Sequence, residues 1–208
     1  MPLVVVEHPL IKHKLTIVRD KETSSKKFRE VVNEITLLLT YEATRDLTLD
    51  DVIIETPLCR TTQKTLNPSQ VVIAPILRAG LGMVQGMLDL IPHAQIAHIG
   101  MYRDEKTFKP ITYYSSFPPD LSQALVIVVD PMLATAGTLV AAVDEIKKLR
   151  PRQIRAVSLI AAPEGAKNME AHHPDVTVFT GALDHHLNEQ AYIVPGLGDA
   201  GDRLFGTH

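Results

Sequence analysis

Apolar residues fall along the chain in two alternating patterns. In one, they recur at steps of three and four. Phe28, Val31, Val32, Ile35, Leu38 and Leu39 form such a stripe behind the capping residues Ser24 and Ser25, which predicts a helix to about residue 45. In the other, short runs are apolar at nearly every position and rich in β-branched residues. These runs lie at 71–74, 95–100 (the weakest), 125–129 (the strongest), 156–160 and 176–179. A run apolar on both faces belongs to a strand covered on both faces, as in a central parallel sheet. Helical patterns over about 80–90, 138–149 and 164–172 separate these runs. Strand alternating with helix predicts an α/β fold, a central mostly parallel sheet flanked by helices, in one domain spanning 1–208.

Three stretches stand outside that alternation. Residues 1–20 read as an extended N-terminal arm. A short strand is expected at 52–55, followed by a polar loop through Pro68. The stretch 182–208 is rich in Gly, Pro and Asp and reads as a long ordered loop, a length that in compact proteins is usually functional or disordered.

Composition narrows the function classes. Apolar residues make up 45%, charged residues 22%, and the net charge is −3, an ordinary globular balance. No basic footprint for nucleic acid or polybasic stripe for a membrane surface is present, so neither partner is expected. The single cysteine, Cys59, rules out an intrachain disulfide and fits a reducing, cytoplasmic setting, with the thiol itself read as structural. Residues 1–9 lack the charged and apolar regions of a signal peptide. No apolar run approaches the roughly 20 residues of a membrane helix.

In doubly wound sheets, ligands collect at the carboxyl ends of the strands, and three such places carry chemistry. At the first, the 125–129 run enters Asp130-Pro131-Met132-Leu133-Ala134-Thr135-Ala136-Gly137-Thr138 just before a helix. A small-residue turn opening a helix offers free N–H groups and a positive helix end to an anion. Thr135 and Thr138 add hydroxyls, and Asp130 can accept from vicinal sugar hydroxyls. One carboxylate beside one phosphate nest suits a ribose 5-phosphate. The plainer reading makes Asp130 a helix cap.

At the second place, Arg78 and Arg103 each stand at a strand end. Two such arginines can grip a pyrophosphate bidentately, though singly each would read as a surface ion pair. The rival here is a nicotinamide site built on Gly80, Gly82 and Gly86 with Asp104 as its acid. Its glycine spacing is nonstandard, and residues 75–78 make the approach too long for the usual turn.

The third is the run 191–207. Gly196, Gly198 and Gly201 match a dinucleotide fingerprint, but too little chain follows to complete a βαβ unit. Such glycines instead let backbone approach a small flat ligand closely. Main-chain groups on such a loop can match the donors and acceptors along a flat base's edge, and a site built this way rejects a base whose edge differs. The pairs His172-His173 and His185-His186 lack the spacing of a zinc site.

These residues carry a resemblance. An apolar strand, an acid and then Ala134-Thr135-Ala136-Gly137-Thr138 before a helix resembles the phosphoribosyl pyrophosphate (PRPP) signature of type I phosphoribosyltransferases. The segment 130–135 and the C-terminal loop are similar to the uracil phosphoribosyltransferase family. Two positions depart from the wider pattern: Pro131 replaces a second acid, and Ala136 stands where glycine is usual. The resemblance implies transfer of a phosphoribosyl group from PRPP to uracil, giving UMP and pyrophosphate. It assigns Arg78, Arg103, Asp130, Pro131, Met132, Leu133, Ala134, Thr135, Ala136, Gly137, Thr138 and Asp199 to PRPP. Ile193, Gly198, Asp199 and Ala200 go to uracil, and Asp199 is the nearest candidate for the catalytic proton acceptor. Mg²⁺ is expected to ride on the pyrophosphate, without a protein-built metal site.

The resemblance also implies a projecting β-arm over 106–114, a C-terminal base-binding loop, a homo-oligomer (dimer or tetramer) and, in some members, activation by GTP. Tyr113 and Tyr114 on that arm read equally as interface anchors and as sheet packing. An RNA-binding regulator on the same fold and the nicotinamide oxidoreductase stay open as alternatives.

Overall fold

The strand Leu125–Val129 is buried at all five positions and forms the middle of the sheet. The computed structural model describes residues 3–67, 70–103 and 110–207, with backbone alone at 103 and 110. In chain order, β1 (Leu3–Val5) leads to α1 (Pro9–Arg19) and α2 (Ser25–Ala43). A hairpin follows, β2 (Asp50–Glu55) and β3 (Arg60–Thr65), then β4 (Val71–Leu77), α3 (Leu81–Leu90), β5 (Gln95–Ile96), β6 (His98–Arg103) and β7 (Pro110–Ser116). Next come β8 (Leu125–Val129), β9 (Met132–Leu133), α4 (Gly137–Lys148), β10 (Gln153–Ser158), β11 (Ile160–Ala161) and α5 (Pro163–His172). The chain ends with β12 (Thr177–Thr180), β13 (His186–Leu187), β14 (Ile193–Val194) and α6 (Ala200–Phe205).

The main sheet runs β1-β12-β10-β8-β4-β6-β7, with β5 beside β4. Its ladders are parallel except that between β6 and β7. Successive strand residues face opposite layers. On one face Ile73, Ile127 and Val157 meet Ile11 and Leu15 of α1, Phe28 and Ile35 of α2, and Met83 and Met87 of α3. On the other, Val72, Val126, Val128 and Ala156 meet Leu139, Val143 and Ile146 of α4 and Met169 of α5. Helices on both faces of a parallel sheet make the fold an α/β one.

Three expectations need correction. The N-terminal arm is extended only over β1, and residues 9–19 are a helix. His8 caps it by accepting the Leu10 N–H at 3.1 Å, Pro9 fits its first turn, and Ile11, Leu15 and Val18 bury a single stripe. The polar loop through Pro68 contains β3, paired antiparallel with β2. Both strands are largely exposed, so β3 shows no apolar alternation. The C-terminal loop holds β13, β14 and α6, the last anchored by buried Ala200 and Leu204. The arm expected after Arg103 returns as β7, an antiparallel edge strand. Asp104 and the outer part of that arm lie outside the described residues.

Candidate active site

The carboxyl end of β8 delivers Asp130, whose N–H donates to the Val157 carbonyl at 3.3 Å. Its Oδ1 accepts the Met132 N–H at 3.4 Å. Burial pushes this carboxyl up from 3.8 to about 6, against the lowering effect of that hydrogen bond. Asp130 is not a helix cap. The cap of α4 is Ala136, held left-handed at φ 63°. The turn between them is braced by β9 pairing with β11, by the Ala162 N–H on the Leu133 carbonyl at 2.9 Å and by Gly165, which lies against the carbonyls of Leu133 and Ala134. The first amides of α4 are left without partners inside the helix, at the end where an anion is favoured.

A cleft of ≈ 370 Å³ opens above this turn. Asp130, Met132, Ala134 and Thr135 form one wall; Ile193, Gly198, Asp199 and Ala200 form another. Eight of the residues expected from the sequence therefore meet around one space. Ala136, Gly137 and Thr138 continue from Thr135 into α4. Leu133 does not face the cleft, because its side chain is buried in the core against α4. Pro131 is also buried and acts through its backbone, its carbonyl accepting the Leu159 N–H at 3.0 Å.

Arg78 follows β4 directly and is exposed, its guanidinium 6.0 Å from the Phe205 ring centroid. Its neighbour Ala79 lines the cleft. Arg103 ends β6, and its side chain lies outside the described residues. Since β4 continues to Leu77, residues 75–77 of the long approach to Gly80 noted in the sequence are strand, and only the turn 78–79 precedes the glycine.

Asp199 has a structural task beside its place in the cleft. It caps α6, accepting the Asp202 N–H on Oδ1 at 2.9 Å. Gln190, Ala191 and Tyr192 also line the cleft and were not singled out from the sequence. Ala191 has φ 62°, and the return of β13 into β14 carries this segment over the site. Ala191 and Tyr192 open the run 191–207 already marked in the sequence, but no base or phosphate contact was expected of them. Among the described residues, no group of three or more His, Cys, Asp or Glu is placed to hold a metal ion. None of their helices is long and apolar enough to cross a membrane.

A parallel sheet whose acid-tipped strand turns through small residues into a helix is the architecture of the phosphoribosyltransferases. A hypoxanthine phosphoribosyltransferase from Staphylococcus aureus shares it at TM-score 0.53 and 14% identity, over 76% of each chain, a likeness of fold alone. The AQ2163 protein from Aquifex aeolicus is far nearer, at TM-score 0.93 and 42% identity over 98% of this chain and 97% of that one. Proteins named uracil phosphoribosyltransferase from Lactiplantibacillus plantarum and Pediococcus pentosaceus are 58% and 59% identical over 203 residues, covering 98% of this chain and 97% of theirs. The model of the uracil phosphoribosyltransferase family matches residues 5–207. The chain belongs to the uracil phosphoribosyltransferase family.

Proposed function

We propose that this protein transfers the phosphoribosyl group of PRPP to uracil, releasing pyrophosphate and giving UMP in pyrimidine salvage. The observation that carries this reading is the shared cleft: the Asp130–Thr135 turn faces the Ile193–Ala200 loop across one cavity. A phosphorylated sugar and a flat base need to meet in such a space.

In this reading the amides and hydroxyls of residues 134–138 hold the 5-phosphate, and Asp130 accepts from the ribose hydroxyls. Pro131, Met132 and Leu133 shape that turn. Main-chain groups of Ile193, Gly198 and Ala200 match the uracil edge. The sugar C1–oxygen bond breaks with its electron pair leaving on pyrophosphate, and the base N1–C1 bond forms. Arg78 and Arg103 stabilise the departing charge, each charge-assisted hydrogen bond being worth about 1.5–3 kcal/mol. Asp199 faces PRPP and takes the N1 proton. Holding both reactants in one orientation supplies much of the acceleration.

The carboxylates of Asp130 and Asp199 line the cleft, and such hard oxygen acceptors suit the water shell of Mg²⁺ carried in on the pyrophosphate. Bound there, Mg²⁺ neutralises phosphate charge. Activation by GTP, a homo-oligomeric assembly and a cytoplasmic setting complete the reading.

The test is pyrophosphate release from PRPP and Mg²⁺, with uracil, cytosine, hypoxanthine or no base, with and without GTP. Release with uracil alone is expected. Release with a different base would overturn the reading of the C-terminal loop, and silence with every base would overturn catalysis.

A further inference from the structure

Gly196 has both of its main-chain polar groups held by one distant ion pair. Its N–H donates to Asp184 Oδ2 at 2.9 Å. Its carbonyl accepts from Arg19 Nη1 at 2.7 Å. Arg19 in turn grips the same carboxylate through both terminal nitrogens, Nη1 to Oδ2 at 2.8 Å and Nη2 to Oδ1 at 2.5 Å. The ring so formed joins the end of α1, the segment before β13 and the loop after β14. The Asp184 side chain is only 4% exposed, a burial that the Arg19 contact offsets.

Asp184 also reaches the opposite wall of the cleft. Its own N–H donates to the Ala161 carbonyl at 2.8 Å. Ala161 belongs to β11, which pairs with β9, where Met132 lines the cleft. Asp184 thereby holds the Gly196 loop through its carboxylate and the β11 strand, which braces the turn after Asp130, through its backbone N–H. The next carbonyl along, Leu197, accepts from Arg203 Nη1 at 2.7 Å, and Arg203 is itself tied to the Val18 and Asp20 carbonyls. Two consecutive loop carbonyls are thus tied, one directly and one through Arg203, to the end of α1. Gly196 stands at φ 65°, and a Cβ there would collide with the Ile193 carbonyl, so the loop is kept close by its own glycine as well.

We propose that Arg19 and Asp184 are positioning residues for base recognition. They touch no substrate. They fix the height and tilt of the Gly196–Ala200 segment over the phosphate turn, so that its main-chain groups meet the edge of the pyrimidine. This role rests on the assignment of that loop to uracil. Guanidinium and carboxylate meet in a planar, two-point fork, which a lysine cannot reproduce.

The test compares wild type with Arg19→Lys, Asp184→Asn and the double variant Arg19→Met/Asp184→Leu. The double variant removes both charges together and so leaves neither buried without its partner. Folding is checked by circular dichroism. In each folded variant KM for uracil is expected to rise about tenfold or more, and the preference for uracil over cytosine to fall, while KM for PRPP stays within about twofold. A wild type active with uracil whose folded variants keep their KM for uracil, or lose both KM values in parallel, overturns the positioning role alone. A wild type inactive with uracil overturns the reading of the loop and the proposal with it.

Discussion

The side-chain amide of Asn168 donates to the carbonyl of Thr135 at 2.8 Å, across thirty-three residues of chain. It pins the turn between Asp130 and α4, and Gly165, one helical turn earlier, lets α5 come close enough to do so. Replacing Asn168 by alanine removes this hydrogen bond to the half-buried Thr135 carbonyl, at a cost of about 0.5–1.5 kcal/mol. The expected result is a higher KM for PRPP with KM for uracil little changed, read from initial rates with each substrate varied in turn. Equal changes in both would place Asn168 in general folding and not in phosphate binding.

Ala136 occupies a left-handed position, φ 63° and ψ 2°, the backbone region that favours glycine. Relief of the left-handed penalty, about 1–2 kcal/mol, favours Ala136→Gly. The extra chain entropy of glycine, about 0.5–1 kcal/mol, and loss of a buried methyl oppose it. These nearly cancel, so Ala136→Gly should unfold in urea within about 1 kcal/mol of wild type. Ala136→Val has no such compensation, since a β-branched residue resists positive φ. It should be the less stable of the two and the weaker binder of PRPP.

What the sequence announced and what it hid divide along physical lines. The strands of the sheet centre were legible because burial on both faces writes an unbroken apolar run, as in β8. The turn after Asp130 was legible because its chemistry is local. By contrast β3 is exposed along most of its length and exists through pairing with β2, which no single run of residues records. Helix α1 carried its signal in His8, Pro9 and the spacing of Ile11, Leu15 and Val18, but polar residues between them obscured it. Asp184 and Arg19 are 165 positions apart, and only the topology reveals that they share Gly196.

Leu204 is 1% exposed and seats α6 against α3, its methyl carbons filling the space above Gly82. Its carbonyl also accepts from Arg29 Nη1 at 2.7 Å. Leu204→Ala opens a cavity at this junction and should cost about 2–5 kcal/mol of unfolding free energy, measured by urea titration. Because α6 begins at Ala200 in the cleft wall, the same variant should bind uracil more weakly at temperatures where it stays folded. Unchanged stability would show that α6 contributes little to the core.

The carboxyl of Asp130, raised from 3.8 to about 6 by burial, makes two pH predictions of opposite sign. For stability, the native state holds this proton more tightly than the unfolded chain does. The contribution is fully present below about pH 4 and is lost as pH rises through about 6, so this group alone makes the free protein less stable across that window. Melting temperatures of wild type and Asp130→Asn, taken as a difference against pH, should expose the slope. For activity, only the ionised carboxylate accepts from both ribose hydroxyls, so kcat/KM for PRPP should rise with an acid limb centred at about pH 6. The 5-phosphate of the substrate also titrates near pH 6, and the variant separates the two groups. Asp130→Asn should lower the plateau about 10- to 100-fold, the worth of a charge-assisted hydrogen bond. The limb should also become shallower, because one of the two titrating groups is gone. A limb of unchanged steepness and midpoint in the variant would assign the whole pH dependence to the substrate.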